Sequence, residues 1–226
     1  MTKKILWISV CFFLVVGVAQ AQRKPSASKA VVPTKTATGL LYFVNSGQGT
    51  QTCLLKTPEG ILEVLVTKKT RVVDFPADDS AWKLGAEWRV AYYKPKDYSG
   101  FQADAITFTG KIVSAIADAE TVARDYNYAL SGDDRDYRTA YSKLTEAAGR
   151  NLSFADFTKM YKGVEVITSA VKVCSHSDEK VVMLLTFYGV NPNDYFQQIE
   201  IVQNDGKSAI NRLFDLQTNE ADAACR

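Results

Sequence analysis

The first feature of the chain is a stretch in which hydrophobic residues repeat with a helical period. A helix is predicted where apolar side chains recur at the spacing of one helical face: Ala119, Val122, Ala123, Tyr126 and Leu130. Gly132 lies two positions after Leu130, and a glycine after the last periodic residue is a common stop signal. The pattern therefore predicts a first helix that ends near Gly132.

Two shorter amphipathic helices are predicted after it. The first of them has Asp133 or Asp134 as its N-cap and ends at Gly149, with one apolar face: Tyr137, Ala140, Tyr141 and Leu144. The next starts at Ser153, with Asp156 at the position where a capping box prefers Glu or Gln. Its apolar face consists of Phe154, Phe157, Met160 and Tyr161.

Four segments rich in β-branched and aromatic residues follow, separated by polar turns: 164–174, 181–188, 195–202 and 208–216. Because each element has one apolar face, helices followed by an antiparallel meander pack together on one side of the sheet. We expect a curved antiparallel sheet wrapped around the first helix.

This order of helices and strands resembles the nuclear transport factor 2-like superfamily, whose domains form a cystatin-like cone. The residues that carry the resemblance are the segments 126–133, 137–141 and 152–161, followed by the four strands. It covers residues 117–216. The resemblance implies one of two kinds of protein: a small-molecule isomerase or cyclase, or a non-catalytic binding or accessory domain of a bacterial envelope protein.

The sequence pattern in the first half of the chain is typical of a small β-domain. Six short strands are predicted between clusters of turn residues: 40–44, 51–56, 61–66, 71–75, 87–93 and 103–110. Strands this short favour a closed barrel, because closure removes exposed edges. The step from Leu84-Gly85 into the strand from Glu87 to Val90 resembles an OB-like or SH3-like barrel module, of unknown role, over residues 38–112.

The N-terminus has the pattern of an export signal. Lys3 and Lys4 precede an apolar run at 5–18, which is followed by Ala19-Gln20-Ala21. This predicts a signal peptide, 1–21, cleaved between Ala21 and Gln22, and a periplasmic or secreted protein without stable membrane insertion after cleavage. The alternative is an uncleaved anchor.

Residues 22–37 have no apolar periodicity and carry basic residues without acids. They are predicted to be a flexible basic linker, with a basic arm that touches an anionic surface as the alternative. The precursor carries a formal net charge of +2, but residues 1–21 contain two of the 27 basic residues and none of the 25 acidic ones. The mature chain is therefore formally neutral.

A neutral balance does not favour nucleic acid as a partner. One segment of the barrel could stack bases, because aromatic and cationic residues follow one another closely: Tyr92, Tyr93, Lys94, Lys96, Tyr98 and Phe101. The ordinary interpretation, which we prefer, is that Tyr92 or Tyr93 faces the core and that 94–100 is a solvated hairpin loop.

Three cysteines remain after processing, namely Cys53, Cys174 and Cys225. In an oxidising compartment one pair is expected, with one thiol left over. A bridge between Cys174 and Cys225 would tether the tail, 218–226, although a meander places the ends of its first and fourth strands at opposite ends of the sheet. The alternative is three unpaired cysteines, with Cys53 a small buried apolar residue.

No catalytic residue is predicted. The single histidine, His176, lies in a polar turn where exposure is ordinary, and no companion residue at ligand spacing predicts a metal site. Nucleotide-binding and hydrolase motifs are missing from the sequence, and no cofactor is expected. Asp125 is the candidate base of an enzymatic alternative, if burial were to raise its pKa.

A ligand pocket in the cone would be lined by six aromatic residues: Tyr126, Tyr137, Tyr141, Phe157, Tyr161 and Phe187. The alternative is that these rings fill the cone as core. The outer face of the sheet offers a different possibility, because an apolar set there could form a dimer interface: Val182, Leu184, Tyr188 and Val202.

Together these patterns predict an α+β protein, with a small all-β barrel at 38–112 followed by a helix-on-curved-antiparallel-sheet cone at 113–217. The expected function is that of a non-enzymatic binding or accessory protein of the bacterial cell envelope, with an envelope protein or a small apolar ligand as partner. A cone-pocket protein that binds, carries or isomerises a small apolar or aromatic molecule is the first alternative. A homodimerisation module is the second.

Overall fold

A computed structural model of the chain describes residues 34–47, 49–131, 135–162, 168–188, 195–204 and 206–225. The predicted signal peptide, most of the predicted linker and the predicted helix signals at 132–134 lie outside these ranges. The strands of the first half are β1 (Lys35–Gly47), β2 (Thr50–Thr57), β3 (Gly60–Thr67), β4 (Arg71–Val73), β5 (Ala86–Tyr93) and β6 (Phe101–Ile112).

Five of these strands close into a barrel. β1 pairs with β5 at one end and with β2 at the other, so it belongs to both sides of the closed sheet. β3 closes the ring by pairing in parallel with β6, where Val64 lies opposite Phe101. β4 adds a short parallel pairing to the same strand, β6.

The barrel interior is apolar, and an aromatic cluster lies at its edge. Trp88 is fully buried in β5, and its Nε1 donates to the carbonyl oxygen of Ala81 at 2.7 Å. That carbonyl belongs to a short 3₁₀ turn, Ser80–Trp82. Trp82 and Phe75 pack against the Trp88 ring with centroid distances of 4.9 and 5.4 Å. The indole hydrogen bond satisfies the one polar atom that Trp88 brings into the core.

The second half of the chain is a helical layer on an antiparallel sheet. The helices are α1 (Ser114–Leu130), α2 (Tyr137–Tyr141), α3 (Glu146–Asn151), α4 (Phe154–Met160) and α5 (Thr218–Ala224), and the strands are β7 (Thr168–His176), β8 (Lys180–Tyr188), β9 (Tyr195–Asn204) and β10 (Lys207–Leu216). The strands form a meander in the order β10-β9-β8-β7. The predicted fold class, a closed barrel followed by helices on a curved antiparallel sheet, is therefore confirmed.

Both sheets contribute to one hydrophobic cluster, which runs from the barrel residues Trp88 and Ile106 to Met183 and Ile199 of the meander. Residues 33–226 form one compact unit. The prediction that the barrel and the cone are separate domains stays a prediction. Its first boundary moves, however, because β1 begins at Lys35, within the segment predicted to be a linker.

The junction between the barrel and α1 is built around Gly85. Its N–H donates to the carbonyl oxygen of Leu41 at 2.8 Å, and its own carbonyl accepts from Val113 N–H at 3.0 Å. Next to it, the N–H of Leu84 donates to a buried carboxylate oxygen of Glu120 on α1 at 2.8 Å. Arg124 pairs with the same carboxylate group at 2.7 Å, so the buried charge is neutralised.

The prediction of a continuous second helix up to Gly149 is wrong. α2 ends at Tyr141 because the residues after it pair with the edge of the sheet instead. The N–H of Ile210 in β10 donates to the carbonyl of Lys143, and the N–H of Thr145 donates to the carbonyl of Ile210, both at 2.8 Å. The N-cap of α2 is Asp136, whose carboxylate accepts from Thr139 N–H at 3.0 Å.

The tail forms a helix, α5, that runs back over the outer face of the meander. Ala221 and Cys225 pack against Leu184, on the face of β8 opposite Met183 and Leu185. The structure joins Cys174 and Cys225 by a disulfide with a Cα–Cα distance of 4.3 Å. The return of α5 across the sheet brings together cysteines that the meander alone would keep apart.

We expect the Cys225→Ser substitution to lower the free energy of unfolding by about 2–4 kcal/mol, because the bridge restricts the unfolded chain. The two bridged cysteines are 51 positions apart in the sequence, so the disulfide closes a long loop. Urea unfolding under oxidising conditions measures the loss, and hydrogen exchange at 218–224 should become faster. As a control, a reductant should lower the urea midpoint of the wild-type protein to that of the variant. It should leave the midpoint of the variant unchanged. A wild-type midpoint that ignores the reductant would contradict the prediction.

The third cysteine among the described residues, Cys53, is fully buried in β2. Burial raises the pKa of its thiol to about 12, so the thiolate is scarce at neutral pH. Its position is that of a small apolar residue in the barrel core.

Candidate functional site

Four of the aromatic residues predicted to line a cone pocket pack against one another: Tyr126, Tyr141, Phe157 and Tyr161. Four are at most 1% exposed: Tyr126, Phe157, Tyr161 and Phe187. Tyr137 and Tyr141 are partly buried at the edge of the same core. The Phe157 ring lies at the centre of the group, with centroid distances of 5.3 Å to Tyr141 and 5.2 Å to Tyr161.

The buried tyrosines share one glutamine. The hydroxyls of Tyr126 and Tyr161 hydrogen-bond to each other, and both lie within hydrogen-bond distance of Oε1 of Gln197, at 3.1 and 3.0 Å. The Gln197 Nε2 group donates to Oδ1 of Asp215 at 3.0 Å. Asp215 also accepts from the Tyr195 hydroxyl. A chain of hydrogen bonds therefore runs from the buried Tyr126 to the exposed Asp215; we call these five residues the tyrosine network.

Burial keeps these phenols protonated. It raises the pKa of Tyr161 to about 12 and that of Tyr126 well above the ordinary value, with the neighbouring Tyr161 adding to the effect on Tyr126. The pKa of Tyr195 is also raised, first by burial and then by its hydrogen bond to Asp215. Each hydroxyl is therefore a donor at neutral pH, and the network uses these donors internally.

Sequence reasoning missed Gln197, although a signal for it exists. β9 alternates between the two faces of the sheet, so Gln197 shares the inner face with Tyr195 and Ile199. A glutamine in an inward register position needs partners inside, and the tyrosines that face it supply them.

Asp125, the candidate base, lies outside this network. Its side chain is about half exposed and pairs with Lys143 Nζ at 2.6 Å. An exposed, ion-paired carboxylate is not placed to act on a molecule inside the cone.

His176 ends strand β7, so its predicted place in the following turn is corrected. Its Nδ1 lies 2.6 Å from the hydroxyl of Tyr42, a buried residue of β1. Burial raises the pKa of the Tyr42 hydroxyl. The contact joins the barrel to the meander. Across the described ranges, no three His, Cys, Asp or Glu side chains come together as a metal-binding group.

The outer face of the meander is partly covered. α5 leaves Leu184 7% exposed, while Tyr188 and Phe214 remain 36% and 45% exposed. The homodimer therefore stays an alternative, with these two rings as the apolar part of its surface.

Among the described residues, two clefts open on the barrel, at opposite ends of the β2–β3 pair. One has a volume of about 380 Å³ and lies beside the β2–β3 turn and Tyr92. The other has a volume of about 450 Å³. We call it the Trp82 cleft, and its walls are Ser46, Gly49, Thr50, Gln51, Val66, Thr67, Lys68, Val72 and Trp82.

The segment that could have stacked bases is largely used for packing. Tyr92 and Phe101 contact each other edge to face at 5.1 Å and pack against the core. Tyr98 is 41% exposed. The expectation that nucleic acid is not a partner stays a prediction.

No helix in the described part of the chain has the length and apolarity needed to cross a membrane.

Comparisons with known proteins give matches among solved structures alone. No protein-family model matches the sequence, and no curated protein matches it. Among solved structures, an "Ntf2 like protein involved in plasmid conjugation" is 10% identical, with 81% of this chain and 78% of that chain covered and a TM-score of 0.32. The Ifi202 HINa domain in complex with 20bp dsDNA is also 10% identical, over 82% of this chain and 97% of that chain, with a TM-score of 0.24. Similarities at these TM-scores carry no argument about fold or function.

Proposed function

We propose that this is an exported, non-enzymatic binding or accessory protein of the bacterial cell envelope, and that it engages its ligand or partner on the barrel. The observation that carries the proposal is the contrast between the two halves. Among the described residues, four of the cone aromatics pack against each other and the tyrosine network satisfies its own donors, whereas two clefts open on the barrel.

Two further observations support the proposal. The N-terminal pattern is that of a cleavable signal peptide. The disulfide between Cys174 and Cys225 fits an oxidising compartment such as the periplasm.

We also infer that the barrel is OB-like rather than SH3-like, and that the cone belongs to the nuclear transport factor 2-like type. An OB barrel is a five-stranded Greek-key barrel that binds ligands on strands 2 and 3 and on neighbouring loops. The five-strand closure, in which β1 pairs with both β2 and β5, supports this type. Both clefts adjoin the β2–β3 pair.

Native mass spectrometry tests the proposal on mature protein secreted into an oxidising compartment. We expect either a small-molecule adduct that leaves on denaturation or a co-purifying envelope protein. Val72→Asp, in the barrel, should reduce an adduct that binds in the Trp82 cleft. Tyr161→Phe, in the cone, should leave any adduct in place.

Two outcomes would overturn the proposal. An adduct that disappears with Tyr161→Phe and persists with barrel variants at both clefts would favour the cone-pocket alternative. A bare chain, with neither adduct nor partner, would contradict binding altogether, and a bare dimer would favour the dimerisation alternative.

A further inference from the structure

The Trp82 cleft combines an apolar floor with a single charged wall residue. Val66, Val72 and Trp82 supply the floor, and Lys68 is the charged residue. Val72 is 51% exposed, so part of this apolar surface faces solvent. A volume of about 450 Å³ lies in the range of ordinary small-ligand sites.

Three basic residues lie close together in the chain at one wall of the cleft. Lys68 and Lys69 follow each other in the turn after β3, and Arg71 follows closely in β4. Arg71 is paired with Asp104 at 2.9 Å, whereas no ion pair to Lys68 occurs among the residues that the structure describes. The ammonium group of Lys68 is therefore available to an anionic ligand.

The side chain of Lys68 lies across the β1–β2 turn. A Cβ atom placed on Gly49 would be 3.1 Å from its Cε and 3.7 Å from its Nζ. Gly49 and Lys68 are both wall residues of the cleft, so the ammonium group lies at the rim of the apolar floor.

We propose that the Trp82 cleft binds a compact organic anion with a flat apolar body. The body would rest on Val72 and Trp82, where burial of apolar surface supplies most of the affinity. The carboxylate or sulfonate would meet Lys68, which fixes its orientation. The cleft beside the β2–β3 turn is less suited to such a ligand, because its charged wall residue is Glu59. This inference rests on the proposed binding function and names the class of ligand.

The probe for the test is 1-anilinonaphthalene-8-sulfonate, an aromatic sulfonate of this class, titrated into the intact mature protein. We expect saturable binding at one site. Lys68→Gln should weaken it about threefold to tenfold, as expected for a charge contact at a partly exposed site. Val72→Asp should weaken it at least as much, because it places a carboxylate on the apolar floor.

Lys69→Gln is the matched control, since it makes the same change of net charge in the same turn but is not a wall residue of the cleft. It should bind the probe with wild-type affinity. Circular dichroism and urea midpoints confirm that all three variants are folded.

Equal weakening by Lys68→Gln and Lys69→Gln would overturn the inference, because it would mean nonspecific attraction. Probe binding that none of the variants changes would overturn it as well, since the site would lie elsewhere. Either failure leaves the proposed binding function open to its own test by native mass spectrometry, so the two failures are distinguishable.

Discussion

Gly85→Ala is expected to lower the free energy of unfolding by about 2–5 kcal/mol. Gly85 has φ +84°, a left-handed conformation that costs a residue with a Cβ atom about 1–2 kcal/mol. The new methyl group would also lie 2.8 Å from Cβ of Ile116 and 3.0 Å from the carbonyl oxygen of Val113. Overpacking of this kind typically costs about 1–3 kcal/mol. Urea unfolding measures the sum.

Gly110→Ala is the matched control. Gly110 has nearly the same dihedral angle, φ +83°, but nothing lies within 4 Å of the position of its Cβ atom. Its substitution should therefore cost only the conformational part, about 1–2 kcal/mol. Equal losses in the two variants would show that the close approach of α1 to the barrel adds nothing, and would contradict the packing argument.

The large loss of stability expected for Gly85→Ala follows from the hydrogen bonds at this position. The N–H and the carbonyl of Gly85 form hydrogen bonds with Leu41 of β1 and with Val113, the residue that precedes α1. The N–H of the adjacent Leu84 donates to the carboxylate of Glu120 within that helix. The barrel strands and the first helix therefore meet at one dipeptide. The sequence predicts that this dipeptide leads into β5. It does not reveal that a helix packs on the dipeptide, because that contact joins residues about thirty positions apart.

The strands are the part of the fold that the sequence predicts best. β8 is a run rich in β-branched and aromatic residues between polar turns, and it spans Lys180–Tyr188 where the sequence predicts a strand at 181–188. The N-cap Ser153 is predictable for the same reason: it accepts from Asp156 N–H at 3.2 Å, a contact within one turn. Local chemistry determines both features.

Features that depend on distant partners are not predictable in this way. α2 ends early because the chain finds a partner in Ile210 of β10. The tail becomes α5 because Leu184 offers an apolar surface and Cys174 a bridge. In the candidate site, the six aromatic positions can be listed from the sequence, but the sequence does not show that Gln197 of β9 bonds the hydroxyls of Tyr126 and Tyr161.

The stability of the protein is expected to fall steeply above pH 10 because of the tyrosine network. An unfolded tyrosine loses its proton near pH 10, while burial raises the pKa of Tyr161 in the folded chain to about 12 and also raises those of Tyr126 and Tyr195. Folding therefore favours the protonated phenols. The contribution of Tyr161 is complete below pH 10 and is lost as the pH rises from 10 through 12, by about 1.4 kcal/mol per pH unit. The raised pKa values of Tyr126 and Tyr195 act in the same direction.

The pH dependence separates this role from ordinary packing. Urea unfolding between pH 9 and 12 should give a shallower decline for Tyr161→Phe than for the wild type, because one linked proton is gone. Tyr128→Phe is the control, since that ring is 85% exposed on α1 and its hydroxyl lies outside the network. The stability of Tyr128→Phe should decline with pH as steeply as that of the wild type. An equal decline of stability with pH in Tyr161→Phe and the wild type would mean that the Tyr161 hydroxyl is not buried in the folded protein. The interpretation of these aromatic residues as packed core would then lose support.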